Sequence, residues 1–171
     1  VNVPSLLHAA SGFYERREIL DALALLKFIL NPYDDINLMQ LLRSPWFNLD
    51  DNIIVNVLRA KTGFSAWESF LNSPASLAQP AITKLSDVLS RRDTQALSTL
   101  FRQCLLDLGC FDFAQKQDIT GRREANLWKF ILNLERESRE TTFNFIDFVT
   151  QSERDIDLEI AMEQDAVSAR E

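Results

Sequence analysis

The chain has 171 residues, of which 46% are hydrophobic and 25% charged, with only 4 glycines and a formal net charge of −7. That length suits one domain with a sizeable core, the composition argues against disorder, and no apolar run reaches the roughly 20 residues of a membrane helix. The charge is unevenly spread: residues 152–171 hold seven carboxylates against two arginines and carry −5, leaving −2 on the first 151. A nearly neutral body is no autonomous nucleic-acid binder of the strongly basic kind, although it has room for a local basic patch.

Taken in chain order, residues 1–7 are apolar around Pro4 and read as an extended lead-in. Residues 16–30 carry Ile19, Leu20, Leu23, Leu25, Leu26, Phe28, Ile29 and Leu30 around most of a helical circumference, which predicts a central helix packed on several sides. Pro32 disfavours helical geometry at Asn31, so the helix stops there. Asp34 or Asp35 caps the next helix, residues 36–43, and Ser44-Pro45 breaks it. Leu49-Asp50-Asp51 opens a short helix that Lys61-Thr62-Gly63 closes, and residues 64–71 form another that presents Phe64, Trp67, Phe70 and Leu71. Residues 81–90 and 94–108 both repeat apolar side chains at i, i+3, i+4 and i+7, with Gly109 ending the second. A long helix follows over residues 122–137, and a last one carries Phe143, Phe145, Ile146, Phe148 and Val149. Alternating strand patterns and Asn-Gly or Asp-Gly turns are absent. The expected fold is all-α, a single multi-helix domain of about eight helices over residues 1–151, followed by an acidic connector over residues 152–171.

The chemistry of most enzyme classes has no carrier here. His8 is the only histidine, which removes His-based triads and makes a histidine metal site improbable. No phosphate-cradling Gly-x-x-x-x-Gly-Lys-Ser/Thr loop occurs. Asp155-Ile156-Asp157-Leu158-Glu159 has the carboxylate spacing of a calcium loop, but Ile160 stands where the turn requires glycine, so a solvated acidic tail is expected. Cys104 falls on an apolar helix face and reads as a packed thiol in a reducing cytoplasm.

The residues that single this chain out are Gly12-Phe13-Tyr14-Glu15-Arg16-Arg17-Glu18-Ile19-Leu20-Asp21-Ala22, then an apolar helix, then Asn31-Pro32-Tyr33-Asp34-Asp35. This order resembles the start of the inserted helical 2B subdomain of UvrD/Rep-type superfamily 1 DNA helicases, whose members read Gly-Gly-x-x-Phe-Phe-x-Arg-x-Glu-Ile-x-Asp and end the following helix at Asn-Pro-x-Asp-Asp. Further along, Arg122-Arg123-Glu124-Ala125-Asn126-Leu127 is similar to the Arg/Glu-Ala-x-x-Asn-Leu segment that opens a long helix in that family. Glu163-Gln164-Asp165-Ala166-Val167 is similar to the Glu-x-Asp-Ala-Val leading into the next motor motif. Where many relatives have a Gly-Ile-Gly turn that holds duplex backbone, this chain reads Arg43-Ser44-Pro45-Trp46-Phe47-Asn48-Leu49-Asp50-Asp51, which resembles the AddA/RecB-type helicase–exonuclease branch.

The resemblance implies a piece of a larger ATP-dependent DNA helicase acting in double-strand-break repair and recombination. Its expected partners are DNA, the motor domains of the same chain and other subunits of a helicase–nuclease complex, with no membrane. The piece itself is expected to bind no cofactor and catalyse nothing, ATP and Mg belonging to the parent. Phe13, Tyr14, Arg16 and Glu18 match the motif, and with Arg17, Arg43, Arg122 and Arg123 they are the candidates for contact with DNA or motor. On residue chemistry alone, the charges around Arg16 and Arg17 read as a capping cluster with solvated arginines, and it is the resemblance that makes them contact candidates. On the same chemistry Arg91-Arg92, Arg122-Arg123, Arg136 and Arg139 read as scattered solubilising charge balanced by nearby Glu and Asp, and Trp46, Phe47, Phe64 and Trp67 as core or loop anchors. A free-standing helical protein-interaction module is the alternative reading.

Overall fold

Why α1 sits at the centre follows from its sequence. The computed structural model describes residues 17–60, 62–74, 77–140 and 143–155, and its first element, α1 (Arg17–Leu30), buries nine of its fourteen residues on all sides. The helix ends where Pro32 requires it, with Asn31 Oδ1 accepting from the Tyr33 amide at 3.1 Å. Asp34 then caps α2 (Asp35–Arg43), its Oδ1 accepting from the Asn37 amide at 3.2 Å. α2 folds back along α1, and Gln40 Nε2 donates to the Leu20 carbonyl at 3.2 Å.

The chain continues through α3 (Asp51–Ala60), α4 (Ala66–Leu71), α5 (Gln79–Arg91, with Pro80 in its first turn), α6 (Leu97–Asp107), α7 (Cys110–Gln117) and α8 (Arg122–Glu137). A ninth helix, α9, covers residues 145–155. No strand occurs among the described residues, so the expected all-α architecture holds. α3 and α4 pack on each other, and α4 on α2, to one side of α1; α6, α7 and α8 form a mutually packed trio on the other. Phe28 meets Trp67 edge-on at 5.2 Å across the first interface. Phe130 of α8 meets Phe101 of α6 and Phe148 of α9, each at 5.8 Å, across the second. Lys27 Nζ and Glu153 pair between α1 and α9. One apolar cluster runs through all of these layers.

Three features depart from the periodicity reading. α7 is an additional helix; it follows directly on Gly109, which sits at φ 71° and both ends α6 and starts α7. Phe64 belongs to no helical face: it is fully exposed, because α4 starts only after Ser65 caps it and Glu68 Oε2 accepts from the Phe64 amide. Gly63 is not a left-handed helix cap. A Cβ there would lie 2.4 Å from Glu68 Cβ, so the glycine lets α4 approach the loop after α3. Trp46 and Phe47 pack half-buried against the core and Trp67 is buried, as anchors. Cys104 and Cys110 are both buried free thiols, and burial pushes the Cys104 thiol up to about 11.

Candidate functional site

The side-by-side packing of α1 and α8 joins two stretches more than a hundred residues apart. Asn126 Nδ2 donates to Glu18 Oε1 at 2.6 Å, so the glutamate of the first motif is held by the asparagine of the second. This bond places Arg17, in the first turn of α1, beside Arg122 and Arg123, in the first turn of α8. Together with Glu18, Asp118, Thr120 and Asn126 they line an open groove of about 520 Å³. The return of α2 along α1 brings Arg43 to the other flank of Arg17, and the two arginines share a second, smaller hollow with Leu20, Ile36 and Gln40. Arg17, Glu18, Arg43, Arg122 and Arg123 therefore surround one helix start. Phe13, Tyr14 and Arg16 lie outside the described residues.

The loop before α8 is built to present its arginines. Asp118 Oδ1 accepts from the Thr120 amide at 2.9 Å and the Thr120 hydroxyl at 2.5 Å, while Oδ2 accepts from the Arg123 amide at 3.1 Å. The Thr120 hydroxyl above all, and then these amides, hold the Asp118 carboxyl down at about 2. Gly121 takes φ 72°, a conformation that favours glycine and turns the chain into α8. The two carboxylates in the groove are thus engaged, Glu18 by Asn126 and Asp118 by its own loop. No ion pair among the described residues holds Arg122 or Arg123. The groove carries a local excess of guanidinium groups, which meet phosphate oxygens through paired N–H donors.

Arg17 also covers a buried carboxylate. Asp21 is 1% exposed; its Oδ2 accepts from Arg17 Nε at 3.4 Å. Its Oδ1 lies 3.3 Å from the same nitrogen, out of hydrogen-bond line and with no other partner among the described residues. Burial raises the Asp21 carboxyl to about 6, against the opposing pull of Arg17. On the α2 side, Arg43 Nε pairs with Asp51 Oδ1 at 2.5 Å and ties the end of α2 to the start of α3.

Other arginines stand elsewhere. Arg91 is held by Asp87 and Asp107, each at 3.0 Å, and Arg92 Nη1 donates to the Ile29 carbonyl at 3.4 Å, so both brace helices. Asn126 can be found from the sequence because it belongs to the quoted Asn-Leu segment. Asp118 and Thr120 carry no sequence signal beyond an ordinary turn. Among the described residues no group of three His, Cys, Asp or Glu side chains could hold a metal ion.

Comparison of the whole sequence bears on the family of this helical domain. Residues 1–164 match the UvrD-like helicase C-terminal domain, and the chain belongs to that family. Among curated proteins it is similar to an ATP-dependent helicase/nuclease subunit of Levilactobacillus brevis, with 31% identity over 98% of this chain and 15% of that protein. The corresponding helicase/nuclease subunits of Ruminiclostridium cellulolyticum and Heliobacterium modesticaldum are 30% and 28% identical, each over 86% of this chain and over 13% and 12% of theirs. The chain thus spans only a small part of the length of these relatives. The UvrD-type resemblance and its helicase–nuclease leaning are borne out at this level. No helix among the described residues is long and apolar enough to cross a membrane.

Proposed function

We propose that this chain is an accessory subdomain of a longer ATP-dependent DNA helicase/nuclease polypeptide acting in double-strand-break repair, and that the groove between the starts of α1 and α8 is where it meets DNA or the motor. The observation that carries the reading is the Glu18–Asn126 bond, which assembles two separate helicase-like motifs into one arginine-lined groove. Family membership and the similarity to helicase/nuclease subunits support the parent activity. ATP and Mg belong to the parent's motor, and the domain's contribution is positional: it holds guanidinium groups against a phosphate backbone or a motor carboxylate while the motor translocates.

The test is made in the full-length helicase that carries this domain. Replacing Arg17 and Arg123 together with Ala is expected to lower the unwinding rate several-fold while leaving ATP binding unchanged. Unwinding and DNA-stimulated ATP hydrolysis at wild-type rates would remove the groove from the mechanism.

A further inference from the structure

We infer that the tip where α2 and α4 begin docks a basic, apolar-sided protein segment supplied by the longer polypeptide itself. This rests on the reading that the chain is one domain of such a polypeptide, and it adds a protein contact on the α2–α4 side of α1.

The tip is assembled by one bond. Asp35 Oδ1, at the start of α2, accepts from the Ala66 amide, at the start of α4, at 2.8 Å. Tyr33 and Ile36 lie within two residues of Asp35, and Phe64 stands two residues before Ala66, so this bond draws three large side chains to one end of the helix pair. They are 60%, 79% and 105% exposed respectively. Folding makes no use of the Phe64 ring. It precedes the Ser65 cap of α4, a position whose apolar residue commonly packs against the fourth residue of the helix. Here that residue is Ser69, which is buried and whose hydroxyl donates to the Ser65 carbonyl at 2.9 Å.

The backbone beneath these side chains is held. Glu68 Oε2 accepts from the Phe64 amide at 2.7 Å, and Asn31 Oδ1 from the Tyr33 amide at 3.1 Å. Asp34 caps the turn that carries Ile36. Large side chains presented from a fixed backbone cost little ordering on binding, which suits them as interface anchors.

Charge selects the occupant. Residues 31–38 and 62–69 contain Asp34, Asp35 and Glu68 and no Lys or Arg, and counting the preceding Lys61 leaves them net negative. Ile36 also borders the hollow with Arg17 and Arg43, but both of those guanidinium groups are already paired, with Asp21 and Asp51. The tip therefore repels nucleic acid and favours a segment with Lys or Arg beside its apolar side chains. A second copy of the chain is disfavoured, because a symmetric contact sets these carboxylates against their own counterparts.

Size selects the source. Three such side chains offer on the order of 400 Å², well under the roughly 1,000 Å² of a stable interface between separate proteins. A contact that small suffices within one polypeptide, where tethering supplies the effective concentration. The chain spans 12% and 15% of two matched relatives, which leaves most of such a polypeptide to supply the segment.

The test is photo-cross-linking in the full-length helicase that carries this domain, with Phe64→benzoylphenylalanine, the same replacement at exposed Leu132 as control, and products mapped by peptide mass spectrometry. Position 64 is expected to join a Lys- or Arg-bearing segment of the same polypeptide outside this domain, at several-fold the yield of position 132. Asp35→Asn with Glu68→Gln keeps the acceptor oxygens and removes the charge, and is expected to lower that yield several-fold. Phe64→Ser is expected to leave the thermal midpoint of the 171-residue chain unchanged; a clear fall shows that the ring serves the fold and overturns its role as a free anchor. A yield no higher than at position 132, or one indifferent to the charge change, overturns the docking tip. Cross-links to a second polypeptide overturn the source, and cross-links to DNA overturn the protein assignment. If position 64 is silent while Arg17→Ala with Arg123→Ala slows unwinding in the same polypeptide, the tip fails and the groove reading stands.

Discussion

Asp21 shows how one side chain in the candidate site works against folding. Its carboxyl is raised to about 6 by burial, above the ordinary carboxylate value it takes in the unfolded chain. Between those two values the folded state holds more protons than the unfolded one, so this residue's contribution to stability falls as pH rises from about 4 to about 6 and stays lost above. Asp21→Asn keeps the shape and removes the charge. It is expected to raise stability at pH 7 by about 1–2 kcal/mol and to leave the balance nearly unchanged at pH 4, read from urea midpoints at both pH values. An equal shift at both would show that the carboxylate is not desolvated in the fold. That a natural domain keeps such a residue beneath Arg17 agrees with a local requirement for an arginine held in place there.

At the same scale, the Glu18–Asn126 bond is the joint of the candidate site. A partly buried, charge-assisted bond of this kind contributes about 1–2 kcal/mol. Asn126→Ala and Glu18→Gln are each expected to cost about that much in chemical denaturation. The double variant is expected to cost less than the sum, because each single change already breaks the same contact. Additive losses would mean that the two residues act independently.

Among the elements, the long helices are legible in the sequence because each buries a repeating apolar stripe: α1, α5, α6 and α8 lie within a few residues of where periodicity puts them. α7 is not, because its eight residues give only Cys110, Phe111 and Ala114 to the core, too short a stripe to register as a repeat. The role of Gly63 is hidden for a different reason. Composition cannot tell a glycine needed for left-handed backbone from one needed for close approach, and only the nearness of Glu68 decides it. Gly63→Ala is accordingly expected to destabilise the α3–α4 corner by about 1–3 kcal/mol through overpacking. A thermal unfolding midpoint equal to wild type would show that the corner yields freely. The candidate site is legible as residue types and motifs, since Arg17, Glu18, Arg43, Arg122 and Arg123 all stand out in the chain. Their convergence is not, because it depends on α1 packing against α8 and on the Asp118 loop that turns the chain into α8.

For the molecule as a whole, net charge and local charge point in opposite directions. The total of −7 repels a polyanion, and most of it sits in residues 152–171, while Arg17, Arg43, Arg122 and Arg123 gather around the starts of α1 and α8 and at the end of α2. A helicase-family domain with this distribution is expected to bind DNA through one face and only weakly by itself, leaving most of the affinity to the rest of a polypeptide of which the matched relatives are several times longer.

The most direct measurement of the central claim is anisotropy of the chain on a forked DNA over a salt series, comparing wild type with the variant in which Arg17, Arg43, Arg122 and Arg123 are all alanine. The account predicts wild-type binding at low salt that falls steeply as salt rises, with both the affinity and most of that salt dependence lost in the variant. Wild-type binding that persists unchanged in the variant, or no binding by wild type at any salt, would contradict the groove's contact with DNA.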